Sequence, residues 1–210
     1  MKVNEIFKSI QGESSFAGRV CVFVRVAGCN LRCSYCDTKY AYEEGKFLEI
    51  EEILKKIKKF KCNLVSVTGG EPLLEKGVYK LMEKLVKSGK QVLLETNGSV
   101  SIKDVDKKAV IVMDIKCPSS GEDKKFLQEN LKYLKPSDEI KFVIGNRKDY
   151  LWAKKAIKTF GILKHKILFS PAFESLKPTA LAEWIIKDNL EIRFNLQLHK
   201  YIWNPSRRGV

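Results

Sequence analysis

Val20-Cys21-Val22-Phe23-Val24-Arg25-Val26-Ala27-Gly28-Cys29-Asn30-Leu31-Arg32-Cys33-Ser34-Tyr35-Cys36-Asp37-Thr38 is an apolar run that ends in a loop bearing three cysteines. Val20 to Val26 is rich in β-branched side chains and reads as a strand. Side chains alternate across a strand, so Val22, Val24 and Val26 share one face and Cys21, Phe23 and Arg25 the other. The all-valine face suits helices packed over a sheet. Arg25 then points to the interior side, where an unpaired charge is costly. An anionic ligand would satisfy it; an internal salt bridge is the other solution.

Outward from this stretch the pattern repeats. Strand-like runs occupy Leu64–Thr68, Gln91–Thr96, Val110–Ile115, Glu139–Ile144, Lys166–Ser170 and Glu191–Leu198. Helical periodicity marks Ile50–Phe60, Gly77–Ser88, Glu122–Leu134, Arg147–Phe160 and Pro178 to about Asn189. Alternating strands and helices imply parallel pairing with right-handed crossovers. A closed eightfold barrel usually needs ~250 residues. This chain has 210, so an α/β fold is expected: an incomplete, partial TIM-type barrel of six to seven mostly parallel strands. No repeat or linker divides it, so a single domain over 1–210 is expected. A flat doubly wound sheet is the alternative, but Gly-x-Gly-x-x-Gly and Walker A patterns are both absent.

Composition narrows the function. Hydrophobic residues are 44% of the chain, which excludes a disordered tail or a collagen-like fibre. The net charge is 39 − 25 = +14. Much of the excess is lysine on helix faces, as in Glu52-Ile53-Leu54-Lys55-Lys56-Ile57-Lys58-Lys59-Phe60, and reads as a solvated face. No RNA-binding pattern accompanies it, so no nucleic-acid partner is expected. No apolar stretch follows a basic start, and none approaches the ~20 residues of a membrane span. A soluble cytoplasmic protein with no membrane partner is expected, where six cysteines are rarely disulfides. Cys21, Cys62 and Cys117 lie singly and read as buried small hydrophobes.

Four unusual sequences follow four successive strands: Gly28–Thr38, then Thr68-Gly69-Gly70-Glu71-Pro72, then Glu95-Thr96-Asn97-Gly98, then Asp114-Ile115-Lys116. In a parallel barrel all these strand ends share the face that carries the active site. The last strand alternates Ile192, Phe194, Leu196 and Leu198 with Arg193, Asn195, Gln197 and His199. Its polar face either enters the site or marks a solvated edge.

Cys29, Cys33 and Cys36 form Cys-x3-Cys-x2-Cys. Three thiolates can hold three corners of a 4Fe–4S cube and leave one iron open. Structural zinc is one alternative, but it wants a fourth ligand and neither His165 nor His199 sits in a suitable pair. A helical stripe at i, i+4 and i+7 is another; Gly28 and Asn30 favour a loop.

This loop resembles the signature of radical S-adenosylmethionine (SAM) enzymes, and Gly69–Pro72 is similar to their SAM amino-group site. A narrower resemblance covers nearly the whole chain. Ile10-Gln11-Gly12-Glu13, Arg25 with Gly28-Cys29, Cys36-Asp37-Thr38, Thr68–Pro72, Glu95–Gly98 and Gln197-Leu198-His199-Lys200 resemble the 7-carboxy-7-deazaguanine synthase family. That resemblance implies conversion of 6-carboxy-5,6,7,8-tetrahydropterin to 7-carboxy-7-deazaguanine with loss of ammonia. It also implies a 4Fe–4S cluster, SAM, Mg2+, a homodimer and a separate electron donor.

Carried over residue by residue, Cys29, Cys33 and Cys36 would hold the cluster and Thr38 the magnesium. Tyr35, Cys36, Asp37, Gly70, Glu71, Asn97, Asp114, Ile115 and Lys116 would meet SAM. Ile10, Gln11, Gly12, Glu13, Arg25, Thr68, His199 and Pro205 would meet the pterin. On the residues alone, Asp37 or Thr38 also reads as a helix N-cap, and Gln11-Gly12 as a turn. Three departures stand out. Asp114-Ile115-Lys116 replaces the family's common Ser-Pro-Lys. Ser14 replaces the last glycine of Gln-Gly-Glu-Gly. The chain runs on past Pro205, as Ser206–Val210. Two rival readings are a radical SAM activase that makes a glycyl radical on a partner protein, and a basic metal-cluster module that binds RNA.

Overall fold

The computed structural model describes residues 1–210. Nine strands form one sheet: β1 (Lys2–Ile10), β2 (Val20–Val26), β3 (Lys46–Phe47), β4 (Leu64–Gly69), β5 (Gln91–Thr96), β6 (Val110–Asp114), β7 (Glu139–Ile144), β8 (Lys166–Pro171) and β9 (Arg193–Phe194), in the spatial order β3-β1-β2-β4-β5-β6-β7-β8-β9. From β2 to β9 every pairing is parallel, whereas β1 runs antiparallel to both β2 and β3. β3 and β9 stay unpaired with one another, so the barrel is open.

The alternation in β2 separates two packed layers. Val22, Val24 and Val26 are fully buried with Ile53 and Ile57 of α1 (Ile50–Lys59) and Leu81 and Leu85 of α2 (Gly77–Lys87). Cys21 and Phe23 turn the other way, onto Leu64 and Leu93. α3 (Arg147–Thr159) and α4 (Pro178–Lys187) cover the far half of the sheet. Each start has a local cause. Glu52 Oε2 accepts the Glu49 N–H at 2.8 Å ahead of α1, Asn146 Oδ1 accepts the Asp149 N–H at 3.0 Å in α3, and Pro178 opens α4. Lys56, Lys58 and Lys59 fall in the last turn of α1, where cations suit the helix dipole. Cys21 and Cys117 are buried as expected, and Cys62 is half-buried.

Three elements differ from the sequence reading. Glu122–Leu134 is not an α-helix but two 3₁₀ turns, Asp123–Lys125 and Gln128–Lys132. Asn130 is the reason: its buried amide donates to the Gly98 and Val100 carbonyls at 3.0 and 2.9 Å and accepts the Ile102 N–H at 3.0 Å. Such side-chain bonding competes with helical pairing. The last strand is not Glu191–Leu198; only Arg193 and Phe194 pair with β8. Asn195 ends the ladder by donating to Ser170 Oγ at 2.8 Å and accepting the Ser14 N–H at 3.0 Å. Third, Lys2–Ile10, not among the strand-like runs of the sequence, forms β1, whose register shifts between Val3 and Glu5 and breaks the period of two there.

An open sheet leaves its interior uncovered, and the β1–β2 connection fills it. Gln11–Arg19 lies against the inner face. Gln11 Nε2 donates to Glu95 Oε1 of β5 at 3.0 Å, Glu13 meets Lys141 of β7, and the Ser15 hydroxyl and N–H donate to the buried Glu139 carboxylate. Gly12 O accepts the Leu198 N–H at 2.9 Å, so the segment after β9 closes over it.

Ser14 sits in this plug with φ +69°, the left-handed region that favours glycine, and its Oγ accepts the Phe16 N–H at 3.1 Å. Ser14→Gly relieves about 1 kcal/mol of backbone strain and loses a bond of similar size, so urea unfolding should place it close to the wild type. Ser14→Ala keeps the strain and loses the bond, and should unfold about 1 kcal/mol earlier. Equal destabilisation by both would contradict this balance.

Candidate active site

The C-terminal ends of β2, β4, β5 and β6 open onto one cavity of about 780 Å³, a size typical of a cofactor-and-substrate site. Every residue predicted for the site lines it except Glu71 and Ile115. Ile115 is buried in the helix-side core. Glu71 is wholly buried: it accepts the Leu73 N–H at 3.0 Å, the Thr96 hydroxyl at 2.8 Å and the Asn97 N–H at 2.7 Å. It is a strut between two strand ends, and burial still raises its carboxyl above the ordinary value.

The three-cysteine segment is a loop, not a helical stripe. Strand-end neighbours hold it: Ser34 N–H and Oγ donate to the Ser120 and Ser119 carbonyls at 3.1 and 2.7 Å, and Glu122 accepts the Arg32 N–H at 2.6 Å. The Arg32 guanidinium lies 4.3 Å from the Tyr42 ring centre and donates to Cys29 O at 2.8 Å. Cys29, Cys33 and Cys36 are free thiols on one cavity wall. Burial pushes Cys33 up to about 11 and raises Cys29. Asn97 Nδ2 points at Cys29 Sγ from 3.8 Å. A 4Fe–4S cube would bind each of the three thiolates at a different iron. Gly70 clears the space behind them: a Cβ there would lie 2.1 Å from Gly28 O and 2.8 Å from Cys29 Cβ.

Two buried polar atoms on the cavity wall have no partner, Tyr35 Oη and Asp114 Oδ1. A polar ligand on the cysteine side would satisfy both. The other oxygen of Asp114 is held by Lys116 Nζ at 2.9 Å and Lys141 Nζ at 3.4 Å. Burial raises the Asp114 carboxyl, but the two lysines outweigh it and hold it below its ordinary value.

The opposite wall is a set of ion pairs. Arg25 does meet an internal salt bridge: its Nε donates to Glu5 Oε1 at 2.8 Å, and Tyr40 Oη donates to the same oxygen at 3.0 Å. Arg25 still lines the cavity. Glu13 accepts from Lys141 at 2.7 Å and from Gln197 Nε2 at 2.9 Å. Burial raises its carboxyl, but Lys141 and His199 prevail and lower it. Glu95 gathers Gln11, Ser66 Oγ at 2.9 Å and Thr68 Oγ1 at 3.1 Å. Asp37 pairs with Lys200 at 2.8 Å and accepts the Thr38 hydroxyl at 2.9 Å. Thr38 precedes the 3₁₀ turn Lys39–Tyr42 without capping it. His199, at the start of α5 (His199–Ile202), packs on Gly12, where a Cβ would lie 2.1 Å from its Nδ1. Pro205 and the tail line the cavity mouth, with Arg208 paired to Glu44 at 2.8 Å and 3.8 Å from the Tyr40 ring centre.

Glu5, Lys141 and Lys200 were given no role by sequence. Lys141 carried a signal: with Glu139 it alternates against buried Ile140, Phe142 and Ile144, as Arg25 does against three valines.

Residues 23–115 match the Radical SAM superfamily. The Streptococcus suis SuiB structure bound to S-adenosylmethionine shares the fold at a TM-score of 0.57 and 14% identity, over 80% of this chain and 48% of that one. The class is thus a radical SAM enzyme, which uses a 4Fe–4S cluster and SAM. A Chlorobaculum tepidum protein named 7-carboxy-7-deazaguanine synthase is 48% identical over 100% of this chain and 97% of its own length. One of the same name from Koribacter versatilis is 43% identical over 100% of both. The Escherichia coli QueE crystal structure superposes at a TM-score of 0.77 with 25% identity, covering 94% of each chain. The chain belongs to the 7-carboxy-7-deazaguanine synthase family, radical SAM lyases of 7-deazapurine biosynthesis.

Gly70→Ala should fold but take up less iron and sulfide on anaerobic reconstitution, because the added methyl meets the Gly28 backbone; unchanged iron content would contradict the close packing. Glu13 and Asp114 have lowered carboxyl values. Their contribution to stability is complete above the ordinary carboxylate range and is lost as pH falls through the depressed values. The urea midpoint should therefore stay level from about pH 8 to 5 and fall below about 4, less steeply in Glu13→Gln.

Proposed function

We propose that this enzyme converts 6-carboxy-5,6,7,8-tetrahydropterin to 7-carboxy-7-deazaguanine with loss of ammonia, in the cavity above the strand ends. The observation that carries the reading is the division of one cavity into a thiol wall with unpartnered Tyr35 Oη and Asp114 Oδ1, and a facing wall of Gln11, Glu13 and Arg25. When bound to Cys29, Cys33 and Cys36, the cluster with SAM supplies one-electron cleavage and hydrogen abstraction. Gly70 leaves room for the methionine end, and Asn97 and Lys116 flank it. Tyr35 and Asp114 offer hydrogen bonds to a hydroxyl-bearing nucleoside.

On the pterin side Arg25 orients the 6-carboxylate. Glu5 occupies its Nε, so the terminal Nη atoms present the fork. Gln11 and Glu13 have the donors and acceptors to read the amidine edge, with Thr68 and His199 adding hydrogen bonds. Glu95 fixes Gln11 and Thr68. Thr38 is the magnesium ligand in this reading: its hydroxyl proton goes to Asp37 and leaves oxygen lone pairs for a hard cation. The family resemblance supports a cytoplasmic homodimer served by a separate one-electron donor. No helix is long and apolar enough to cross a membrane.

An anaerobic reaction with reductant, SAM and the carboxypterin should yield the ring-contracted product and 5′-deoxyadenosine. Hydrogen abstraction from a glycyl peptide, with no pterin consumed, would overturn the assignment. Arg25→Ala should raise KM for the pterin about tenfold or more while slow SAM cleavage persists; an unchanged KM would remove Arg25 from the site.

A further inference from the structure

We infer that Lys141 is a positioning residue that sets both ligand subsites at once, holding Glu13 for the pterin and Asp114 for SAM with a single buried ammonium. The inference rests on the placement of the two subsites proposed above. Lys141 Nζ lies 2.7 Å from Glu13 Oε2 and 3.4 Å from Asp114 Oδ2, and its side chain is 12% exposed. The carboxylates come from different elements: Glu13 from the plug and Asp114 from the end of β6.

Lys141 is the one cation that bonds both. Lys116 shares Asp114, at 2.9 Å, but pairs with no other carboxylate. Glu95 also faces Lys141 electrostatically, yet its oxygens are taken by Gln11, Ser66 and Thr68. Glu95, Glu13 and Asp114 thus face two lysines in one low-dielectric space. An ammonium offers three donors; one goes to Glu13 Oε2, and Asp114 Oδ2 lies within ion-pair range of the same nitrogen. Asp114 Oδ1 is then left pointing without a partner, and Glu13 Oε1 is held by Gln197. Without Lys141, Glu13 and Asp114 would repel each other as close neighbours and each would lose its orientation. A lysine is a poor choice for packing alone, since an apolar side chain fills such a site at no desolvation cost.

The test uses the anaerobically reconstituted holoenzyme. Pterin affinity is measured by equilibrium binding, and SAM affinity by the change SAM makes in the EPR spectrum of the reduced cluster. Lys141→Met should weaken both ligands about tenfold or more while still loading its cluster, at a melting temperature below that of the wild type. Glu13→Gln should weaken the pterin alone, and Asp114→Asn SAM alone. Lys141→Arg, which keeps the charge, should recover most of both affinities. Should the Met variant fail to load its cluster, Lys141→Gln carries the same comparison. Loss of one ligand only, or of neither, overturns the shared role. A wild-type enzyme that binds no pterin instead overturns the underlying subsite reading.

Discussion

An open parallel sheet has an inner face that no helix covers, and whatever fills it must satisfy the polar groups it brings. Here a short loop, Gln11–Arg19, does so. It carries Glu13 and two serines into a space walled by strands, where unpaired charge is costly. Its polar groups find partners across the sheet: Glu95 on β5, Lys141 and Glu139 on β7, and Asn195 just beyond β9. The filling of the barrel and the construction of the substrate wall are therefore one event. Breaking a buried ion pair by removing one partner costs about 3–5 kcal/mol, which is why the loop is so fully committed.

The cofactor wall is built differently. Its thiols lie on a loop held by backbone and by Ser34 and Arg32, with a glycine behind it and a buried carboxylate, Glu71, locking the neighbouring strand ends. The two walls meet at Asp114, whose Oδ2 is tied to Lys116 and Lys141 while its buried Oδ1 has no partner. The tail beyond Pro205 folds back to the cavity mouth and stacks Arg208 on Tyr40, the residue that shares Glu5 with Arg25.

Much of this was legible in the residues because it obeys local rules. The period of two in Val20–Val26 placed Arg25 inside, and the motifs after four strands marked one face. What escaped depends on tertiary partners. Asn130 turns a helical-looking segment into 3₁₀ turns by bonding three backbone groups far away in sequence. Asn195 ends β9 early for the sake of Ser14. The bulge near Asn4 hides β1. Glu71 read as a cofactor contact, yet Leu73, Thr96 and Asn97 engage its carboxylate, and no spacing rule foretells that. Ser14 shows the reverse: its departure from glycine was visible, and its positive φ explains why glycine is the commoner choice there.

The central claim is that the plug loop, held on Lys141, is the pterin wall and faces the thiol wall across one cavity. The most direct measurement is an anaerobic crystal structure of the reconstituted enzyme with SAM and the carboxypterin. The account predicts the 6-carboxylate on the Arg25 Nη atoms, the amidine edge on Gln11 and Glu13, and a SAM hydroxyl at Asp114 Oδ1. A pterin lying away from the plug, with Glu13 still engaged only by Lys141 and Gln197, would contradict it.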